Sequence, residues 1–311
     1  MIPQAMTRIR PYVRQTILDP SPFYSQLTGV DVYFKCENLQ HTGSFKARGA
    51  LNKILSLTDE ERERGIVTAS TGNHGAACAF AMQQVGATGV VFVPEIAKET
   101  KLAAIRRLGA EIRIVGTDSV QSERFARAYA AEQGMTYVPP YNDALVIAGQ
   151  GTIALELLQQ LPNLDAIFVS VGGGGLIGGI ASYIKGVDPH IQVFGCSPQN
   201  SQVMALSVAA GELLDLPSLP TLSDGTAGGV EAGSITFPLC RDYVDRYISV
   251  SEEEIAAALR TFMDAQHMLI EGSAAVAIAA FQKTADELRG KNLAIVLCGA
   301  NISLENLRIV L

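Results

Sequence analysis

The chain reads as an α/β protein of two lobes, each a mostly parallel open sheet covered by helices. Three observations predict this. Short apolar runs alternate with helical patterns almost from end to end, as in parallel strands joined by crossover helices. A length of 311 residues exceeds what one simple core usually supports. Hydrophobic residues make up 48% and charged ones 18%, with no tryptophan, which provides for a large core and argues against a disordered tail.

Strands are expected at 32–36, 66–69, 89–93, 111–115, 166–171, 192–196, 246–250 and 293–298, with helices filling the intervals. Ser251, followed by Glu252, Glu253 and Glu254, sets an oxygen cap and three carboxylates at the positive end of a helix running on through Leu259 and Met263. Three tight strand and helix units between about 56 and 142 predict a small domain, leaving 1–55 and 143–311 for a large one. The stretch 211–234, rich in Pro, Leu, Gly and Ser, is the one extended irregular region, and a long ordered loop in a compact enzyme more often shapes a site than idles.

The net charge of -7 comes without a basic stripe, which speaks against nucleic acid and anionic membrane as partners. Five cysteines, at 36, 78, 196, 240 and 298, form no CxxC pair and cannot all pair within the chain, so a reducing cytoplasm fits best. Met1 to Arg8 lacks the apolar core of a signal peptide, and no apolar run is long enough to cross a bilayer. His41, His74, His190 and His267 show no metal-ligand spacing, and no metal is expected.

Three segments carry chemistry. Lys46 follows the first predicted strand and a polar turn, in Ser44-Phe45-Lys46-Ala47-Arg48-Gly49-Ala50, at the start of a helix. An amine turns nucleophilic when burial or nearby positive charge destabilises its ammonium form, and the helix N-terminus with Arg48 could supply part of that. The alternative is a surface lysine capped by Ser44. The strand expected at 166–171 runs straight into Gly172, Gly173, Gly174, Gly175 and Leu176, then a helix, so that backbone N–H groups can close around a phosphate. Gly173, Gly175 and Gly178 also satisfy the dinucleotide spacing, but no ribose-binding acid ends the next strand, which passes into Ser197 and Pro198. Ser70, Thr71, Gly72, Asn73 and His74 follow a third strand and open another helix, which suits a carboxylate or, more plainly, a capped helix start.

Together these segments resemble the fold type II pyridoxal-phosphate enzymes, tryptophan synthase β-like in architecture, and specifically the serine/threonine dehydratase (threonine ammonia-lyase) and serine racemase branch. The resemblance spans nearly the whole chain and includes the runs from Val146 to Glu156, Ser223 to Ala227, Glu271 to Ala275 and Leu297 to Asn301. It implies that pyridoxal 5'-phosphate is held as a Schiff base by Lys46, with Phe45 against its ring, Asn73 on its 3-hydroxyl, and Gly172 to Leu176 on its phosphate. Cys298 would face the pyridine nitrogen as a neutral partner, which makes the ring a weaker electron sink. Ser70, Thr71, Asn73 and His74 would clasp the substrate carboxylate, with Tyr141 and Gly225 as further substrate contacts. The implied reaction is β-elimination of a 3-hydroxy amino acid, L-threonine or L-serine first, to a 2-oxo acid and ammonia, with Lys46 taking the α-proton.

Several departures from the family pattern matter. Racemases have a serine at Thr71 as a second acid or base; threonine keeps the hydroxyl and adds a methyl, which leaves racemisation as the alternative activity. Some relatives hold a divalent cation through two acids where this chain has Ser197 and Val203, so neither magnesium nor calcium is expected there. Tyr141 is a bulky phenol on the substrate side, which opens the choice to a larger 3-hydroxy amino acid, as in hydroxyectoine utilisation. Relatives usually pair, so a homodimer is expected. The chain stops at Leu311, soon after the last strand and a short helix, where feedback-controlled relatives add a regulatory domain, so none is expected here.

Overall fold

The computed structural model describes residues 1–95, 97 and 99–311, and of Thr100 and Lys101 the backbone alone. The strands are β1 (Leu18–Pro20), β2 (Asp31–Lys35), β3 (Ile66–Ala69), β4 (Gly89–Val93), β5 (Glu111–Ile114), β6 (Thr136–Tyr137), β7 (Ala166–Ser170), β8 (Gln192–Pro198), β9 (Arg246–Val250) and β10 (Asn292–Val296). They form a six-stranded sheet in the order β1-β2-β10-β7-β8-β9 and a four-stranded sheet in the order β5-β4-β3-β6. The edge pair β1 and β2 is antiparallel, and the other pairings among the described residues are parallel.

Both faces of the larger sheet are covered, which is why β7 is buried at every residue and reads as a continuous apolar run. The helix Lys46–Leu55 belongs to the other core: its Ala47, Leu51 and Ile54 share an apolar cluster with Ala77 and Val91 beside the four-stranded sheet. Three helices, Lys46–Leu55, Ala144–Gln160 and Gly175–Val187, stack on one another. A Cβ on Gly179 would stand 2.4 Å from the Ile147 carbonyl oxygen, so the last two helices meet backbone to backbone. That contact holds the start of the lysine helix and the glycine run in one frame.

Most predicted strands stand within a residue or two of their expected bounds. The one expected at 192–196 continues to Pro198, because Ser197 and Pro198 pair with Ser249 and Val250. The one expected at 293–298 ends at Val296; beyond it the Cys298 carbonyl accepts from the Phe45 N–H at 3.1 Å instead. β1 and β6 were not anticipated, since three and two residues are too few to show a period. Residues 211–235 run without helix or strand between the helices Val203–Ala210 and Thr236–Tyr243. Among the described residues no helix is long and apolar enough to cross a membrane.

Candidate active site

Lys46 is positioned by the far end of β10. Ser44 bridges Gly299, and the Gly43 carbonyl accepts from the Ala300 N–H at 2.8 Å, so the turn before the helix is stitched to the segment after the strand. Ser44 does not cap the helix: its buried hydroxyl has no hydrogen-bond partner among the described residues, and the capping position belongs to Phe45, whose side chain makes no cap bond. The lysine amine points inward, donates to the Pro140 carbonyl at 2.8 Å and stands 5.2 Å from the centre of the Phe45 ring. Burial pulls the ammonium from its ordinary range down to about 8. Arg48 has no part in this, contrary to the expectation from its neighbourhood in sequence. Its guanidinium is buried against Glu37 at 2.8 Å and Glu156 at 2.7 Å.

The glycine run leaves β7 through Ser170, whose hydroxyl donates to the Ser273 carbonyl at 2.5 Å. Gly174 lies in the left-handed region, at φ +83, and no side chain caps the helix that follows, so its first N–H groups stay open to a ligand. A Cβ on Gly173 would come within 2.5 Å of the Tyr141 ring. Tyr141 therefore stands against the glycine run as a wall, with its phenol oxygen accepting from the Glu231 N–H at 2.8 Å. Gly225 closes another side, where a Cβ would meet the Ser273 hydroxyl at 2.7 Å.

The segment after β3 supplies the opposite wall. The helix Asn73–Val85 starts at Gly72 without a side-chain cap, while the Ser70 hydroxyl accepts from the Gly72 N–H at 3.2 Å. His74 is buried with its Nε2 3.0 Å from the Val138 carbonyl. Burial, reinforced by the Lys46 charge, drives its imidazolium down to about 3, so the ring is neutral. It brings no positive charge to this wall, whose donors are the hydroxyls of Ser70 and Thr71, the Asn73 amide and the open helix N–H groups. Asn73 Nδ2 donates to both oxygens of Glu271, at 3.0 and 3.1 Å. Cys298 is buried 4.0 Å from the same carboxylate, and burial with that charge pushes its thiol well above the ordinary range.

These walls enclose a cavity of about 1010 Å³. Every residue that the resemblance gave to the cofactor or substrate lines it: Phe45 and Lys46, Ser70, Thr71, Asn73 and His74, Tyr141, the four glycines with Leu176, Gly225, and Cys298. A smaller cavity of about 350 Å³, by Leu219 and Asn306, holds none of the first-named segments. Glu271, Ser170 and Asn301 also line the large cavity and were not among the candidates. The run Glu271-Gly272-Ser273 at a helix start was the available signal for the first, since a buried acid there needs a reason. Ser197, at the expected position for a cation in some relatives, is buried with its hydroxyl unpartnered among the described residues, and Val203 is buried too.

The cavity suits a flat, anionic aldehyde. A partly neutral amine stands at one end, an aromatic ring beside it, and an uncapped helix start behind bare glycines provides donors for a phosphate. A model of the family "pyridoxal-phosphate dependent enzyme" matches residues 9–299. An L-threonine ammonia-lyase of Geobacter sulfurreducens is 41% identical over 317 residues, which cover 100% of this chain and 77% of the relative. Among solved structures, the processed form of threonine deaminase isoform 2 from Solanum lycopersicum superposes with a TM-score of 0.94 at 32% identity, over 99% of this chain and 92% of that one. Maize serine racemase does so with a TM-score of 0.93 at 34% identity, over 99% and 94%.

Proposed function

The chain belongs to the pyridoxal-phosphate-dependent enzymes, and from that membership we propose that it dehydrates and deaminates a 3-hydroxy amino acid, L-threonine or L-serine first, to a 2-oxo acid and ammonia. The observation that carries this is the enclosed Lys46 amine, which shares one cavity with the glycine run, Asn73 and Cys298. The named activities of relatives that cover 97–100% of this chain agree with it.

In this reading Lys46 holds pyridoxal 5'-phosphate, Gly172 to Leu176 take its phosphate, Phe45 lies against its ring, Asn73 meets its 3-hydroxyl and Cys298 its ring nitrogen. When bound, the cofactor supplies an electron sink for the charge left on the substrate's α-carbon. Ser70, Thr71 and the open N–H groups at the start of the helix Asn73–Val85 bind the carboxylate, which fixes the α-proton toward one face. Lys46, freed once the substrate's own amine has taken its place, would remove that proton, its lowered basicity leaving a share of free amine near neutral pH. The β-hydroxyl leaves as water, and a water molecule re-enters as the nitrogen departs, so that threonine yields 2-oxobutanoate and ammonia. Cys298, kept as a thiol, offers the ring nitrogen a neutral partner, which favours prompt loss of the β-substituent. Tyr141 and Gly225 bound the space for the substrate side chain.

The division into a large domain, 1–55 with 143–311, and a small domain, 56–142, is proposed alongside; the separate four-stranded sheet drawn from β3 to β6 supports it. A cytoplasmic homodimer acting on a small amino acid completes the reading. Racemisation is the second reading, and the hydroxyl that Thr71 keeps in the cavity favours it. The test is direct. Protein loaded with the cofactor should release ammonia and 2-oxobutanoate from L-threonine, and Lys46→Ala should lose at least about 10³-fold in rate. Accumulation of the D-amino acid without 2-oxo acid would transfer the assignment to the racemase.

A further inference from the structure

Glu271 occupies the position that begins the helix Gly272–Thr284, yet its side chain makes no cap bond there. Its own N–H donates to the Gly299 carbonyl at 3.0 Å, and the carboxylate turns into the cavity wall. It fits a slot built for it: a Cβ on Gly299 would come within 2.6 Å of one carboxylate oxygen, and one on Gly225 within 3.3 Å. There it accepts from Asn73 Nδ2 at 3.0 and 3.1 Å and from the Asn301 N–H at 3.1 Å. Asn301 Nδ2 in turn donates to Asn73 Oδ1 at 2.6 Å and to the Thr42 carbonyl at 2.9 Å.

An asparagine amide can present either its oxygen or its nitrogen, and only its partners decide which. Here both ends of the chain of amides are groups that can only accept, the Thr42 carbonyl and the Glu271 carboxylate. The first forces Asn301 to turn its nitrogen toward Thr42 and Asn73; the second forces Asn73 to turn its nitrogen toward Glu271. We propose that Glu271 is a positioning residue of this site, locking the Asn73 amide in the one orientation that offers N–H to a bound ring hydroxyl. This rests on the reading that the cavity takes pyridoxal 5'-phosphate. It goes further in assigning to a residue outside the cofactor contacts the control of one of them. The buried carboxylate needs these donors as much as they need it, because an ionised group out of water must be hydrogen-bonded.

Glu271→Gln keeps the shape and replaces an acceptor-only group with one that also donates, so the Asn73 amide is held in orientation from the Thr42 side alone. Glu271→Asp keeps the polarity at a shorter reach. Each variant, stripped of cofactor, would be titrated with pyridoxal 5'-phosphate while the absorption band is recorded, and the melting temperature of the stripped protein measured beside it. The expected result for Glu271→Gln is a dissociation constant raised about tenfold, the upper end of one ordinary hydrogen bond, with an altered band and a melting temperature close to the parent's. Glu271→Asp should recover part of the affinity and the parent's band. Parental affinity and band in Glu271→Gln would overturn the inference. So would a weakening matched by a lower melting temperature in both variants, which marks a merely structural role. Failure of the unsubstituted protein to bind cofactor at Lys46 would instead remove the underlying cofactor reading.

Discussion

At the scale of single residues, burial decides the charge of two candidates, Lys46 and His74. Enclosure lowers the Lys46 ammonium from its ordinary range to about 8, so free amine accumulates as the pH rises through that point. Uptake of pyridoxal 5'-phosphate by stripped protein should therefore accelerate with pH along a curve centred near 8, measured by stopped-flow absorbance; a centre above 10 would show an ordinary solvated lysine. His74 works in the opposite direction for stability. Its folded value of about 3 lies below the unfolded 6.5, so between those values the unfolded chain binds a proton that the folded one does not. Stability is then greatest above 6.5 and falls as acid is added, by up to about 1.4 kcal/mol per pH unit from this group. Replacing His74 with glutamine should flatten the acid limb of denaturant-derived stability by up to one proton, and an unchanged slope would assign that limb to carboxylates.

Elements show why some of this was legible and some was not. Lys46, the glycine run, Asn73 and Cys298 could be picked out because strand ends and helix starts punctuate the sequence, and parallel sheets gather such junctions at one edge. Ser251 and Glu254 form the reciprocal cap that their spacing announced. The cause of the lysine's activation was illegible because Arg48, two positions on, lies across the helix from Lys46. It serves a buried cluster instead. Arg48 and Lys35 face Glu37 and Glu156, joining the lysine helix, the end of β2 and the helix Ala144–Gln160. Burial alone would raise the Glu37 carboxyl, yet the Arg48 guanidinium and Lys35 hold it below its ordinary range. Nothing in sequence spacing links 35, 37, 48 and 156. Arg48→Met should cost about 3–5 kcal/mol in urea unfolding, because it strands a buried charge. Adding Glu37→Gln should restore part of that loss. If the double variant is no better than the single, the lost bond and not the stranded charge is the dominant cost.

Across the whole molecule, the irregular stretch 211–235 reaches the segment of the smaller sheet through one acid. Glu231 pairs with Arg127 on the helix Ser119–Gln133 at 3.0 Å and accepts from Asn142 Nδ2 at 2.8 Å, while its N–H donates to the Tyr141 phenol. Asn142 Oδ1 accepts from the Ile235 N–H at 3.0 Å, closing the far end of the stretch. The composition of 211–234 marked a loop that shapes a site, but its partners on the other sheet's helix could not be read from it. Arg127 and Glu231 are both partly exposed, so their pair contributes little to global stability, under about 1 kcal/mol. Its effect belongs to local opening, where the same energy is a large share of what holds the segment down. Glu231→Ala, which removes the ion pair and the Asn142 bond together, should leave urea unfolding within about 1 kcal/mol of the parent. It should also speed proteolytic cleavage inside 211–235 by up to roughly fivefold, since about 1 kcal/mol of opening energy is a factor of about five. Tyr141→Phe, which removes only the phenol bond, should fall between parent and Glu231→Ala. Equal cleavage rates in all three proteins would mean that the stretch is held by its own packing, such as Ser223 and Thr226 against Ser273, and that the acid at 231 is only a surface charge.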